Sequence, residues 1–246
     1  MSRVTPSKAA ITDLAPTGVL RTAINLSNFL LVTGATPSGD PVGVAPDMAL
    51  EIANRLGVSV RYVTFKTPAE LADTALSDIW DIGLIGAEPQ RAELIAFSNA
   101  YVEIESTYLV PAGSPLQTIA DVDQPGIRIA VTGKTAYGLW LDNNIKHAAL
   151  HRSASFDTAY HEFIDSKLEA MAGLRPGLIK DAAKLPGSRL IPGRFSAVQQ
   201  AIGTPKKNAA GAAFLRDFAE EVKQSGFVQS LIDKHKVQGL TVAPAA

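Results

Sequence analysis

Apolar and polar positions alternate along residues 19–25 (VLRTAIN), a pattern that predicts a strand closing on polar residues. Asp47 is placed to cap a helix over 47–56, with Leu50, Ala53 and Leu56 on one face and Gly57 ending it. Residues 58–64 (VSVRYVT) are β-branched and alternating, and predict a second strand. A helix is expected over 68–77, capped by Thr67 with Pro68 in its first position, before a third strand at 81–85. Strands separated by helices imply parallel pairing.

The texture changes at Glu103, where IESTYLVP is extended and leaves the first domain. A loop, a short helix and a turn follow (SPLQTIADVDQPG). The alternation then restarts, with a strand at 127–131, a helix at 137–144, a short strand near Leu150, a helix at 156–166, a strand at 168–172 and a helix at 176–184. Pro186-Gly187 closes this smaller unit. Extended residues at 190–191 and 197–202 carry the chain back. Amphipathic helices are expected over 209–224 and 227–235, with Phe214, Leu215, Phe218 and Val222 as a core-facing stripe. The expected organisation is therefore a discontinuous lobe, 1–105 with 192–246, and an inserted lobe, 106–191. No repeat or low-complexity linker interrupts it.

Composition narrows the function. The 246 residues are 46% hydrophobic and 19% charged with a net charge of −1, which suits a packed domain pair and offers no basic face for nucleic acid. Cysteine is absent, so no thiolate or disulfide chemistry is available. The four histidines lack metal-site spacing, and neither a metal nor a cofactor is expected. No apolar stretch reaches the roughly 20 residues that span a bilayer. The opening MSRVTPSKAAITDLAPTG has no apolar core of an export signal. Either such a signal has been removed or the protein stays in the cytoplasm.

Residues 80–110 hold the clearest chemistry. An apolar strand runs into Gly86-Ala87-Glu88-Pro89 and then a helical turn bearing Arg91. A fixed guanidinium just past a strand end, beside free helix N–H groups, suits a carboxylate. Taken alone, Arg91 pairing with Glu88 or Glu93 at the surface explains the segment as well.

Several segments, in this order and spacing, resemble the family-3 solute-binding proteins of bacterial uptake systems. They are VLRTAIN, GVAPDMALEIANRLGV, DIGLIGAEPQRAELIAFSNAYVE, RIAVTGKTAYGLWL and GFVQSLIDKHKVQGL. The resemblance covers residues 18–239. It implies an α/β, two-lobed type II periplasmic-binding fold, each lobe a mostly parallel sheet flanked by helices, with two crossover strands as a hinge and closure around a ligand. It implies a small carboxylate-bearing ligand, a membrane permease of an ABC transporter as partner, a periplasmic location and a monomer.

Ligands of open α/β sheets sit at the carboxyl ends of strands. That rule selects Asn25, Asn28 and Phe29 after the first strand, Phe65 after the second, Gly86, Glu88 and Arg91 after the third, and Thr135, Ala136 and Tyr137 in the inserted lobe. The resemblance makes Arg91 the carboxylate clamp. It matches Thr132–Tyr137 to the family's glycine-threonine turn, where Thr135 also reads as a plain helix cap. One of Gln199 and Gln200 on the returning strand is expected to face the site, and Gln200 is the choice. Phe29, Phe65, Tyr101, Tyr137 and Phe195 offer apolar walls, though each fits a core equally well.

One departure from the family is informative. Amino-acid-binding members place an aspartate after the glycine that corresponds to Gly173, where it pairs with the ligand's ammonium. Here that residue is Leu174, and Arg175 follows. With Arg175 facing the ligand, two guanidiniums favour an organic acid or dicarboxylate over a standard α-amino acid. An outward Arg175 leaves only the missing aspartate, which Asp47 or Glu88 could replace. Two rivals stand beside a non-catalytic binder. One is a lyase resembling cyclohexadienyl dehydratases with Glu88 as its acid, although a glutamate beside an arginine is expected to be ionised. The other is a ligand-sensing module without a transporter.

Overall fold

The computed structural model describes residues 3–246; Met1 and Ser2, which open the segment read for an export signal, lie outside the described residues. The chain divides into two compact units, Met1–Glu103 with Gln199–Ala246, and Ile104–Val198.

In the first unit the chain opens with α1 (Lys8–Leu14), capped by the Ser7 hydroxyl, which accepts from the Ala10 N–H. Strand β1 (Val19–Asn25) follows, then a small hairpin of β2 (Gly34–Ala35) and β3 (Pro41–Val42). Helix α2 (Val44–Leu56) starts three residues before Asp47, with Gly43 in the cap position. Gly43 has φ 151°, and a Cβ there would lie 2.3 Å from the Leu31 carbonyl oxygen, so only glycine fits that entry. Asp47 is thus not the cap. Its Oδ2 accepts from Lys234 Nζ and contacts His235 Nε2, both at 2.7 Å. Nor does Leu50 face inward: it is 44% exposed, while Met48, Ala49, Ile52, Ala53 and Leu56 form the buried face. Gly57 ends the helix in the left-handed region, as its position predicts.

Next come β4 (Ser59–Phe65) and α3 (Pro68–Asp73), with Thr67 capping and Pro68 leading as expected. Helix α3 stops short of Ser77. The Thr74 hydroxyl donates back to the Leu71 carbonyl and accepts from Trp80 Nε1, turning the chain. Strand β5 (Ile82–Gly86), a 3₁₀ turn (Arg91–Glu93) and β6 (Ile95–Phe97) complete this stretch. Strand β7 (Val102–Val110) enters the second unit at Ile104.

The second unit holds a 3₁₀ turn (Ile119–Asp121), β8 (Arg128–Thr132), α4 (Ala136–Asn144), β9 (Ala149–Ser153) and α5 (Phe156–Asp165). It continues with β10 (Ala170–Leu174), α6 (Arg175–Ala182) and β11 (Arg189–Leu190). Strand β12 (Ser196–Pro205) brings the chain back at Gln199, followed by α7 (Ala209–Gln224), α8 (Phe227–Lys234) and β13 (Thr241–Val242).

The first unit's sheet runs β4-β1-β5-β12, with β1 parallel to both neighbours and β12 antiparallel to β5. The second runs β7-β10-β8-β9, parallel except for β7 against β10. The predicted βαβ pairing thus appears in both.

Helices cover the apolar faces of these strands. Ala23, Leu71, Trp80, Ile85 and Ile95 form one core, and Leu109, Ala130, Phe163, Leu168, Met171 and Leu178 the other. The α7 stripe of Phe214, Leu215, Phe218 and Val222 is buried, as its spacing predicts.

Each sheet is also fastened at the amino ends of its strands. In the first unit Asp81 Oδ2 accepts from the Arg21 backbone N–H (2.8 Å) and Nε (3.0 Å), and its Oδ1 from Nη2 (2.6 Å). In the second, Glu169 holds Arg128 through the same three groups at 2.8, 3.0 and 2.9 Å. The Asp81 hydrogen bonds raise the Arg21 pKa further, against desolvation.

Candidate functional site

In the first unit, strand register gathers the predicted residues at one sheet edge. Asn25 pairs with Phe65 at the ends of β1 and β4, and Gly86 pairs with Gln200 across β5 and β12. Gln200 is buried, and its neighbour Gln199 donates from Nε2 to Glu103 Oε1 at 2.9 Å. The Asn25 side-chain oxygen accepts from the Ser27 N–H and hydroxyl, and that of Asn28 accepts from the Leu30 N–H. Both asparagines therefore shape the turn after β1. That turn leaves Phe29 37% exposed, a large apolar surface beside a strand end.

Arg91 is only 6% exposed, which overturns the surface-arginine reading. Its Nη1 donates to the Gly86 carbonyl at 2.8 Å, fixing the guanidinium at the end of β5. Burial lowers its pKa to about 10, against the attraction of Glu88 and Asp73, so it remains cationic at neutral pH.

Glu88 departs from expectation. Desolvation pushes its carboxyl up to about 7, and the opposing pull of Arg91 is smaller. At neutral pH Glu88 is therefore shared between its protonated and ionised forms rather than fully ionised. Because the folded-state value lies above the ordinary 4.5, the folded chain binds this proton more tightly than the unfolded chain. That contribution to stability is complete below about pH 4.5 and is lost as pH rises toward 7. We expect wild-type melting temperature to fall over this window. Glu88→Gln should flatten the fall, and equal slopes for the two proteins would remove Glu88 as its cause.

In the second unit the carboxyl ends of β8 and β10 lead directly into α4 and α6. The Thr135 hydroxyl donates to the Thr132 carbonyl at 2.7 Å and accepts from the Gly138 N–H at 3.1 Å, so the cap reading holds. Gly138 permits this, since a Cβ there would sit 2.6 Å from the Thr132 oxygen. The cap leaves the N–H groups of Ala136 and Tyr137 in the first turn of α4, where helix geometry gives them no internal partner. The Tyr137 side chain is 3% exposed, and burial raises its pKa to about 12. Tyr101 is likewise buried, with no hydrogen-bond partner for its hydroxyl among the described residues.

Arg175 heads α6 and does not offer an open guanidinium. Its Nε donates to Glu105 Oε2 at 2.6 Å, and its Nη2 bonds the Gly193 carbonyl. Arg194 Nη1 stands 3.8 Å from the other Glu105 oxygen. Of the two alternatives for Arg175, a fully open second guanidinium does not describe it. Asp47, already bound by Lys234 and His235, is likewise committed and does not stand in for the missing aspartate.

Sequence reasoning missed two residues here, Glu105 and Trp140. Trp140 stacks at 5.3 Å on Phe195, which lies 4.6 Å from Tyr108. The only sequence signal for Glu105 was a second acidic residue, after Glu103, on the strand VEIESTYLV. Among the described residues no cluster of three or more His, Asp or Glu side chains could hold a metal, and no helix is long and apolar enough to cross a membrane.

Comparison with known proteins fits these observations. No curated protein sequence matches the chain. A mutant of the protein ArgBP from T. maritima superposes with a TM-score of 0.73 at 23% identity, covering 93% of this chain and 100% of that one. An ancestral amino-acid-binding protein, a precursor of cyclohexadienyl dehydratase, gives 0.71 at 19% identity over 91% and 98%. An amino-acid ABC transporter substrate-binding protein from Streptococcus pneumoniae, bound to L-arginine, gives 0.71 at 20% over 95% and 99%. These likenesses establish the type II periplasmic-binding fold. The profile of the bacterial extracellular solute-binding proteins, family 3, matches residues 29–238. With a match spanning most of its length, the chain belongs to that family and is a solute-binding protein of the ABC-transporter type.

Proposed function

We propose that the protein captures a small carboxylate-bearing molecule without transforming it, and delivers it to the permease of an ABC-type uptake system in the periplasm. The observation that carries this reading is the buried Arg91 guanidinium, anchored on the Gly86 carbonyl at the carboxyl end of β5. A cation desolvated to that degree interacts strongly with an incoming carboxylate and recognises its shape through paired N–H donors. To the same site in the first unit we assign Asn25, Phe65 and Gln200 at the strand ends, and Asn28 and Phe29 in the turn after β1. Within the second unit, the first turn of α4, with Thr135, Ala136 and Tyr137, has N–H groups suited to an anion.

An organic acid is favoured over a standard α-amino acid, because Leu174 stands where an aspartate would meet the ammonium. The structural relative that holds L-arginine makes amino acids the necessary comparison. The test is a thermal-shift panel of monocarboxylates, dicarboxylates, keto acids, aromatic acids and L-amino acids. Organic acids should raise the melting temperature; a rise with L-amino acids alone would sink the no-amine reading.

One observation favours a second reading, a lyase: a carboxyl poised near 7 can give up a proton at neutral pH. Turnover of prephenate or arogenate, lost in Glu88→Gln, would establish it in place of the binder.

A further inference from the structure

The second unit contains an apolar cavity at the amino end of β10, away from the strand ends that lead into α4 and α6. Register explains the place. Arg189 pairs with Val110 across β11 and β7, which sets Ser188 opposite Pro111, and Leu168 leads from the end of α5 into β10. The cavity holds about 300 Å³, at the small end of ligand pockets. Phe163 and Leu168, both buried, form its floor, and Ile164, Leu185, Pro111 and Pro186 its sides. These walls are set without a ligand. Gly187, at φ 79°, lets its loop close on Ala112, since a Cβ there would lie 2.9 Å from that of Ala112.

Only two of the lining side chains are polar, Ser188 and Lys167. The Ser188 hydroxyl is spent on the Leu185 carbonyl at 2.7 Å. Lys167 is exposed, and among the described residues no acid pairs with its ammonium; Glu169, two residues on, holds Arg128. Lys167 also sits at φ 48° where the chain leaves α5, a position glycine usually takes. Lys236 has the same conformation after α8, so the backbone alone assigns no role; the cavity beside Lys167 does.

We propose that this cavity is a second binding site, for a small amphiphile with an apolar body and one anionic head, such as a medium-chain carboxylate. The body leaves water for the floor of Phe163 and Leu168, and the head stays at the mouth with Lys167, whose stem lies along the apolar wall. Preformed walls spare the cost of ordering them. A lysine ammonium is a point charge and demands no planar head, so an alkyl sulfate fits as well. The site lies wholly within one unit and does not depend on Arg91.

The test is an NMR titration of the full chain, following the amides of Ala112, Ile164, Lys167 and Ser188. Probes are butyrate, hexanoate, octanoate, octyl sulfate, octanol and octylammonium. Octanoate and octyl sulfate should shift these amides, equally in wild type and in Arg91→Ala. Affinity should rise about fourfold per methylene along the carboxylates, the value of one buried CH₂. Octanol and octylammonium should bind about fivefold more weakly than octanoate, the scale of one exposed charge contact. Lys167→Glu should weaken octanoate about tenfold, and Lys167→Arg should keep it. Ile164→Glu, at a position 37% exposed, should weaken octanoate likewise and decides the matter if Lys167→Glu does not fold. No shift of these amides with any probe, affinity indifferent to chain length, or octylammonium matching octanoate overturns the assignment. Octanoate affinity unchanged in both charge variants overturns it too.

Discussion

Replacing Arg91 with alanine is expected to weaken binding of the best organic acid by about a hundredfold or more. Truncating one partner of a desolvated, hydrogen-bonded charge pair typically costs 2–5 kcal/mol or more, and Arg91 is such a partner, only 6% exposed and oriented by the Gly86 carbonyl. Lysine should not rescue it. A lysine ammonium is a flexible point charge, whereas the carboxylate needs the planar fork. The fold should survive, since the substitution removes a cation that burial already disfavours, as its lowered pKa records. Calorimetry with the wild-type protein's best acid, alongside circular dichroism of the ligand-free variant, decides the matter. Affinity unchanged in a folded Arg91→Ala protein would place the carboxylate elsewhere.

Asp81→Ala should have the largest effect on stability, about 3–5 kcal/mol, the usual cost of stripping one partner from a buried ion pair. Asp81 is 3% exposed and Arg21 13%, and the alanine takes the Asp81 carboxylate from the Arg21 guanidinium and backbone N–H, leaving the guanidinium only the exposed Asp78 at 3.4 Å. The matching pair in the second unit supplies an internal control. Glu169 and Arg128 have the same bonding pattern at 33% and 40% exposure, so water screens them and Glu169→Ala should cost about 1 kcal/mol or less. Urea unfolding of both variants measures the contrast. Equal losses would show that exposure does not decide the strength of these clasps.

Local rules were legible in the sequence, and long-range ones were not. Thr67, Pro68, Gly57 and Thr135 took the positions that capping chemistry assigns them, because those interactions close within a few residues. Strand β1 and helix α7 have the bounds that their apolar patterns predict. Helix α1 escaped notice because it is short and buries only two side chains, Ala10 and Leu14. Its place depends on α7, where Gly211 donates to Asp13 and lacks the Cβ that would strike Leu14. Asp47 reads as a cap until α8 brings Lys234 and His235 against it. The site divides along the same line. Arg91 and its turn form a local motif, whereas the partner that holds Arg175 lies on a strand remote in sequence. The high proton affinity of Glu88 depends on burial, which no spacing encodes.

The discontinuous first unit bears on when the protein becomes competent to bind. Strand β5, which presents Arg91, pairs with β12, and α1 packs on α7, so this unit is completed only by the final stretch of chain. The second unit is continuous and has all of its own strands as soon as Val198 has been made. A nascent chain can therefore finish the half bearing Arg175 while the turn bearing Arg91 still waits for its neighbour, and contacts so distant in sequence form slowly. With Arg91 as the proposed clamp, the unit that presents it is thus the last to be completed in synthesis.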